Sequence, residues 1–233
     1  CQTFLFGDQE KEVFCRMLGK QADFAGIQVL AYCVMSNHFH LLLRVPVVGA
    51  LSDEALLSRY QTYYGEERVP LSTYSVEELK SLLAEGGREA ETARERILAR
   101  MGNLPAFMRE LKQRFSIWFN HQHGIQGTIW SARYKSVIVE DEPESLTRVA
   151  AYIDLNPVRG EIVSDPKDYR WCGYAASLAG VRSARDGLVQ VFANSRNYVE
   201  AMASYRLILF GKGYETKGAL EKDRGRISAE RLE

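Results

Sequence analysis

Two histidines at alternate positions, His38 and His40, are the residues whose types and spacing most clearly suggest chemistry. Alternate residues of a β-strand point to the same face, so a strand would place both imidazoles side by side and Phe39 on the opposite face. Two adjacent imidazoles can supply half of the ligands of a metal ion. The alternative is a pair of partly buried, hydrogen-bonded histidines, because His-x-His is a short and common pattern.

Tyr152 and Asn156 form a second candidate pair, four residues apart in a segment of helical apolar periodicity. Residues at this spacing share one helix face, a turn apart. A tyrosine can attack a phosphodiester covalently when a divalent cation polarises the phosphate. A hard cation such as Mg2+ or Mn2+ accepts an amide oxygen beside imidazole nitrogens. Taken singly, Tyr152 is open to interpretation as a packing tyrosine, and Asn156 as a helix C-cap.

Three segments, in this order along the chain, resemble the REP-associated branch of the single-tyrosine HUH transposases. They are YCVMSNHFHLLL at 32–43, WSARYKS at 130–136 and AYIDLNPVRG at 151–160. The resemblance runs from about Phe4 to Leu178, apart from the region between Leu51 and Met101.

The resemblance implies cleavage of single-stranded DNA, usually near a hairpin. The tyrosine becomes joined to the 5′ phosphate, a free 3′ hydroxyl is left, and the reverse step rejoins the strand. His38 and His40 match the metal-binding histidines, Asn156 matches the position of the third ligand, and Tyr152 matches the nucleophile. The implied cofactor is Mg2+ or Mn2+, and the implied partner is hairpin-containing single-stranded DNA. Related enzymes include monomers and homodimers.

Five basic residues are candidate DNA contacts. Arg133, Lys135 and Arg159 lie within or beside the matched segments, and Arg109 and Lys112 lie on the polar side of a predicted helix. The family pattern does not define their roles. An ordinary solvated face is the alternative interpretation of the same charges.

Several other residues compete for the same roles. His121 and His123 form a second His-x-His, but on a helix they would point about 200° apart, and Gly124 indicates a helix end. Tyr134, between Arg133 and Lys135, is the rival nucleophile, but it has no metal-binding neighbour one turn away. Cys33 is interpreted as a buried core thiol.

The implied fold is an α/β (α+β) ferredoxin-like sandwich, whose antiparallel sheet carries the histidines with the nucleophile helix against it. The patterns predict a helix from Asp8, a hairpin around residues 35–37, a core helix over 104–119, a strand over 128–139 and a helix over 141–156. Asp141 is the predicted N-cap of that last helix, with Glu144 completing a capping box. Beyond Trp171 they predict a helix over 174–178, a loop, and a helix over 198–210.

These elements predict a catalytic domain over residues 1–180, with a helical insertion over 52–101. Residues 181–233 are predicted to form a C-terminal helical extension and charged tail. Family members usually begin with a strand that bears an aromatic residue and an arginine, and this chain starts after it. If that strand is truly absent, the sheet would expose an edge.

The 233 residues carry no net charge, but the charge is unevenly distributed. Between Ser52 and Ala99 there are ten acidic and six basic residues, a net of minus four, so the remainder carries plus four. The four cysteines have neither metal-knuckle nor catalytic-pair spacing, and no apolar run approaches membrane-spanning length. We therefore expect a cytoplasmic protein without a membrane partner, nucleoid-associated when bound to DNA.

Three functions compete. The first is a metal-dependent DNA nicking and joining enzyme, a transposase, with a covalent tyrosine intermediate. The second is a catalytically silent protein that binds DNA or RNA hairpins, in which binding would survive loss of Tyr152. The third is a phosphodiesterase that uses water, in which nicking would survive that loss and no adduct would form.

Overall fold

A computed structural model describes residues 6–47, 49–65 and 74–215. Over these residues the chain is a mixed α+β protein, mostly helical, with a two-stranded antiparallel sheet. The strands are β1 (Gln28–Val34) and β2 (Phe39–Arg44). The helices are α1 (Asp8–Ala25), α2 (Asp53–Tyr64), α3 (Val76–Glu85), α4 (Gly87–Leu98), α5 (Leu104–His123), α6 (Pro143–Asp154), α7 (Asn156–Arg159), α8 (Gly173–Leu178), α9 (Arg182–Val191) and α10 (Tyr198–Glu215). Within the described ranges, no helix has both the length and the apolar character needed to cross a membrane.

The described residues divide into two compact units. The first contains residues 6–15, 29–43 and 133–215, and the second contains residues 16–28, 44–47, 49–65 and 74–132. Helices α6 to α10 belong to the first unit, and helices α2 to α5 to the second. Each unit has its own hydrophobic core.

The predicted hairpin is confirmed and belongs to the first unit. Its turn is closed by the Met35 amide, which donates to the His38 carbonyl at 2.8 Å. On the other edge of β1, Cys33 forms an isolated antiparallel bridge with Cys172. In the part of the chain that the structure describes, β2 has no ladder partner on its outer edge. Two strands do not establish the ferredoxin-like sandwich, which stays a prediction.

The predicted strand over 128–139 is wrong. Trp130 is held against α5, where its indole N–H donates to the Lys112 carbonyl at 3.1 Å and to Ser116 Oγ at 2.8 Å. Farther along, Val137 and Ile138 are almost completely exposed. A strand needs a ladder partner for its backbone groups, and no strand of the described ranges pairs with this segment.

The predicted start of the helix that contains Tyr152 is also wrong. Helix α6 begins at Pro143, and its N-cap is Glu142 without a capping side chain. Asp141 is therefore not the cap, and Glu144 forms an ion pair with Arg148 at 2.6 Å instead of a capping box. The helix ends at Asp154, and α7 starts a new turn at Asn156.

The loop predicted before α10 contains helix α9, which the sequence patterns did not reveal. Gly187 lies inside this helix, and glycine is a weak helix former. A Cβ at Gly187 would overlap the carbonyl oxygen of Val29 and crowd that of Leu30. Glycine therefore allows α9 to pack closely against the backbone of β1.

The helices of the acidic segment contribute to the hydrophobic core of the second unit. Ser52 caps α2, and Ser75 with Glu78 forms a capping box on α3, so local signals start both helices. Buried aromatic and aliphatic residues fill the space between α2, α3, α4 and the end of α1. They include Phe24, Leu56, Tyr60, Tyr63, Tyr64, Leu79 and Ile97.

A buried polar network links three parts of this unit. Arg100 binds Glu110 through two bonds of 2.8 Å, and its guanidinium also donates to the Tyr64 hydroxyl. Gln21 donates to the same Glu110 carboxylate at 3.1 Å. Burial acts to lower the pKa of Arg100, but its interactions with Glu110 and Tyr64 together raise it, so the guanidinium stays charged. The network joins α1, α2 and α5 through a single carboxylate–guanidinium pair.

We expect Arg100→Ala to lower the free energy of unfolding by about 3 kcal/mol, because it leaves the Glu110 carboxylate buried without its partner. Urea denaturation followed by circular dichroism measures this loss. Arg96→Ala, at an exposed position on α4, is the matched control and should leave the midpoint unchanged. Equal midpoints for the two variants would contradict the prediction.

In the first unit, a buried carboxylate joins α6 to α8 and α10. Asp154 is 2% exposed at the end of α6. It accepts hydrogen bonds from the Tyr205 hydroxyl at 2.5 Å and from the Tyr174 amide at 3.1 Å. Burial raises the pKa of Asp154 to about 6, while these hydrogen bonds act in the opposite direction. Above that pH, the ionised carboxylate depends on its donors.

We expect Tyr205→Phe to destabilise the protein by about 2 kcal/mol at pH 7.5, because a buried carboxylate loses a hydroxyl donor. We expect a smaller loss of unfolding free energy at pH 5. At that pH Asp154 is protonated in both proteins, so the hydrogen bond that Tyr205→Phe removes is weaker than it is at pH 7.5. Thermal and urea unfolding at the two pH values test this. Leu207→Ala, exposed on the same helix, is the control. A loss that is larger at pH 5 would contradict the assignment.

Candidate metal and nucleophile site

His38 directly precedes β2 and His40 is its second residue, so the two histidines share one face as the alternation predicts. The His38 and His40 rings are side by side, with centroids 4.9 Å apart and planes at 85°. Phe39 points to the other face, where its ring lies 4.7 Å from that of Phe14. Packing of Phe39 therefore anchors the strand that presents the two imidazoles.

The environment of the pair favours neutral imidazoles. Burial lowers the pKa of both His38 and His40, and the neighbouring His38 lowers that of His40 further. A metal ion binds the neutral ring through an unprotonated nitrogen. His38 Nδ1 also lies 2.7 Å from Asn37 Oδ1, a contact at a residue that the sequence patterns had assigned only to the turn. The sequence signal for this contact is the position of Asn37, directly before a candidate ligand histidine.

Tyr152 is half exposed on α6, and its ring centroid lies 5.8 Å from that of His40. The buried residues Leu146, Ala150 and Ile153 form the opposite side of the helix. Because the helix buries that stripe, Tyr152 is left facing solvent beside the histidine pair. Tyr152 therefore does not belong to the buried stripe of α6.

Asn156, at the first residue of α7, turns its amide nitrogen back to α6. Nδ2 donates to the Tyr152 carbonyl at 2.9 Å and to the Ile153 carbonyl at 3.2 Å. Through its side-chain nitrogen, Asn156 thus caps the C-terminal end of α6, in line with the capping interpretation of this residue. Its oxygen is the end of the amide that a hard cation would bind.

The Arg159 guanidinium lies over the ring of Tyr152. Its guanidinium carbon lies 4.6 Å from the centroid of the Tyr152 ring, and Nη1 lies 3.5 Å from the Tyr152 carbonyl. The side chain is exposed. A guanidinium in this position could bind a phosphate oxygen next to the phenol.

The other predicted DNA contacts are distributed over both units. Arg133 and Lys135 are exposed in the first unit, and Arg133 lies over the Tyr134 ring at 5.7 Å. Arg109 is exposed in the second unit. Lys112, also in the second unit, donates to the Ala132 carbonyl at 3.0 Å, and burial lowers its pKa. Among the five candidate DNA contacts, Arg159 lies against Tyr152.

The competing residues have other environments. Helix α5 ends at His123 with Gly124 as its left-handed C-cap, so the second His-x-His lies at a helix end as predicted. The His123 ring packs on Phe119 at 4.2 Å. Cys33 is completely buried, and burial raises the pKa of its thiol, which fits the core interpretation.

The donor set limits which metal the site could hold. Over the described ranges, no three His, Cys, Asp or Glu side chains come together as a metal site. His38 and His40 would therefore need oxygen ligands from Asn156, water or phosphate. Mg2+ and Mn2+ accept such a set and keep positions open for substrate oxygens.

Comparison with family models, curated proteins and solved structures finds no match to this chain. The assignment of the site therefore depends on its residues and their geometry.

We expect His38→Ala and His40→Ala each to weaken Mn2+ binding by at least about tenfold, because each removes an imidazole ligand. Electron paramagnetic resonance of free Mn2+ during titration measures the affinity. His121→Ala is the control, since this exposed histidine lies at the end of α5 in the other unit. Wild-type affinity in both ligand variants would contradict the site.

Proposed function

We propose that this protein is a tyrosine nuclease and strand transferase, a transposase that resembles the REP-associated HUH enzymes. The observation that carries the proposal is the half-exposed Tyr152 ring, 5.8 Å from His40 in a side-by-side histidine pair. Its substrate is single-stranded DNA that contains hairpins. This function uses Tyr152, the two imidazoles and the Arg159 guanidinium together.

In the proposed reaction, the Tyr152 hydroxyl oxygen attacks the scissile phosphorus in line with the leaving 3′ oxygen. The bond from the phenol oxygen to phosphorus forms, and the bond from phosphorus to the 3′ oxygen breaks. The phenol proton passes to water, and the 3′ oxygen leaves as a hydroxyl after gaining a proton. The covalent 5′ phosphotyrosine keeps the energy of the broken ester, so a 3′ hydroxyl can attack it and rejoin the strand.

His38, His40 and the Asn156 oxygen would hold Mg2+ or Mn2+. When bound, this cation supplies Lewis acidity to a non-bridging phosphate oxygen. Arg159 stabilises charge on the same phosphate, a role that its 4.6 Å contact with the Tyr152 ring supports. Asn156 also stabilises the end of α6 at the proposed nucleophile, since its nitrogen donates to the Tyr152 carbonyl.

Arg133 and Lys135 are the next proposed DNA contacts, because both are exposed in the unit that holds Tyr152. Arg109 is a proposed contact of the second unit. Lys112 would have to release the Ala132 carbonyl before it could bind a phosphate, so it is the weakest of the five.

The proposal extends to the fold, the assembly and the cellular location. The hairpin and α6 would be parts of a ferredoxin-like sandwich. His40 and Tyr152 of the same chain lie side by side, which supports a site built within one protomer, in a monomer or a homodimer. We propose the cytoplasm as its location, with the protein on nucleoid DNA when bound.

We expect wild-type protein with Mn2+ to form a covalent adduct with labelled single-stranded hairpins from the DNA flanking its gene. Tyr152→Phe should form none, because the attacking oxygen is missing. Denaturing gel electrophoresis measures the co-migrating label, and chelation should abolish it. Tyr134→Phe is the matched control and should keep the adduct.

Three outcomes would redirect the proposal. An adduct that persists in Tyr152→Phe and disappears in Tyr134→Phe would transfer the nucleophile to Tyr134. Nicking without any adduct would indicate a water-dependent phosphodiesterase. Binding in a mobility shift, with neither nicking nor adduct across cations and hairpins, would indicate a silent hairpin-binding protein.

A further inference from the structure

We propose that Asn37 is a positioning residue that selects the tautomer of His38 and so makes Nε2 the metal-binding nitrogen. This inference rests on the proposed metal site and names a residue outside the ligand set. The Asn37 carboxamide oxygen lies 2.7 Å from His38 Nδ1. A carboxamide oxygen only accepts hydrogen bonds, so the ring nitrogen facing it must carry the proton. The lone pair of the neutral ring then lies on Nε2.

His38 needs such a partner more than His40 does. His40 lies within β2, and its ring is flanked by those of His38 and Tyr152 at 4.9 and 5.8 Å. His38 precedes the strand and is exposed, so core packing does not hold its ring. An exposed imidazole without an oriented acceptor exchanges between two tautomers and several rotamers, and only part of that population could bind a cation.

The backbone of the turn places the Asn37 side chain beside the ring. The Met35 amide donates to the His38 carbonyl at 2.8 Å, and the Phe6 amide donates to the Ser36 carbonyl at 2.6 Å. These two bonds hold the residues on either side of Asn37. The acceptor is therefore presented by a constrained turn, so little additional order is required when a metal ion binds.

Replacement of Asn37 tests the role without touching a ligand. Asn37→Ala removes the acceptor, and we expect it to weaken Mn2+ binding by about ten- to a hundredfold, the usual effect of losing a partner of a ligand histidine. Asn37→Asp keeps an acceptor oxygen and should restore affinity to the wild-type level or above. Ser36→Ala, at the preceding turn position, is the control and should bind as wild type does.

Nitrogen-15 NMR of the histidine side chains, recorded without metal, reads the tautomer directly. Wild type should show His38 protonated at Nδ1, and Asn37→Ala should show a mixture or the Nε2 form, while the His40 signals stay unchanged. A merely structural role for Asn37 would not move this signature. The His38 resonance is assigned by its loss in His38→Ala.

The outcomes separate this inference from the proposed function. If His38→Ala and His40→Ala bind Mn2+ as wild type does, the metal site itself fails, and the positioning role fails with it. If those variants lose the metal while Asn37→Ala keeps full affinity, or if wild-type His38 is protonated at Nε2, only the role of Asn37 is overturned. Weak binding and a changed tautomer in Asn37→Ala, both reversed in Asn37→Asp, support it.

Discussion

The buried carboxylate of Asp154 constrains the helix on which the proposed chemistry depends. Taking a carboxylate out of water costs free energy, and hydrogen bonds from Tyr205 and Tyr174 offset that cost only when α6, α8 and α10 are in their observed places. Asp154 is two residues from both Tyr152 and Asn156. The requirement to satisfy one buried charge therefore positions two candidate site residues on the surface above it.

The hairpin positions the histidine pair by the alternation of its strand. Its strand period turns Phe39 toward Phe14 and places both imidazoles on the opposite face. Partial burial then favours their neutral forms. Strand geometry and desolvation thus place two neutral imidazoles side by side, and the Asn37 oxygen beside His38 Nδ1 adds an orienting contact.

The acidic insertion is stabilised by interactions within the second unit. Its helices contribute to the second unit, whose aromatic core includes Tyr60 and Tyr64 and whose buried Arg100–Glu110 pair also engages Gln21 of α1. The segment is therefore integrated with the end of α1 and with α5. The described part of the insertion belongs to the second unit, and Tyr152 belongs to the first.

Local patterns in the sequence were sufficient for the hairpin, the core helix α5 with its glycine cap, and the shared face of His38 and His40, because these depend on period and on nearest neighbours. Tertiary structure decided what depends on distant partners. The segment with Val137 and Ile138 has strand-like composition but no ladder, and Gly187 permits a helix where its backbone must approach β1. Spacing predicted one helix face for Tyr152 and Asn156, but the structure places Tyr152 on α6 and Asn156 at the start of α7. Only packing of the apolar stripe of α6 brought Tyr152 beside His40 and beneath Arg159, because contacts between residues far apart in the chain leave no periodic trace in the sequence.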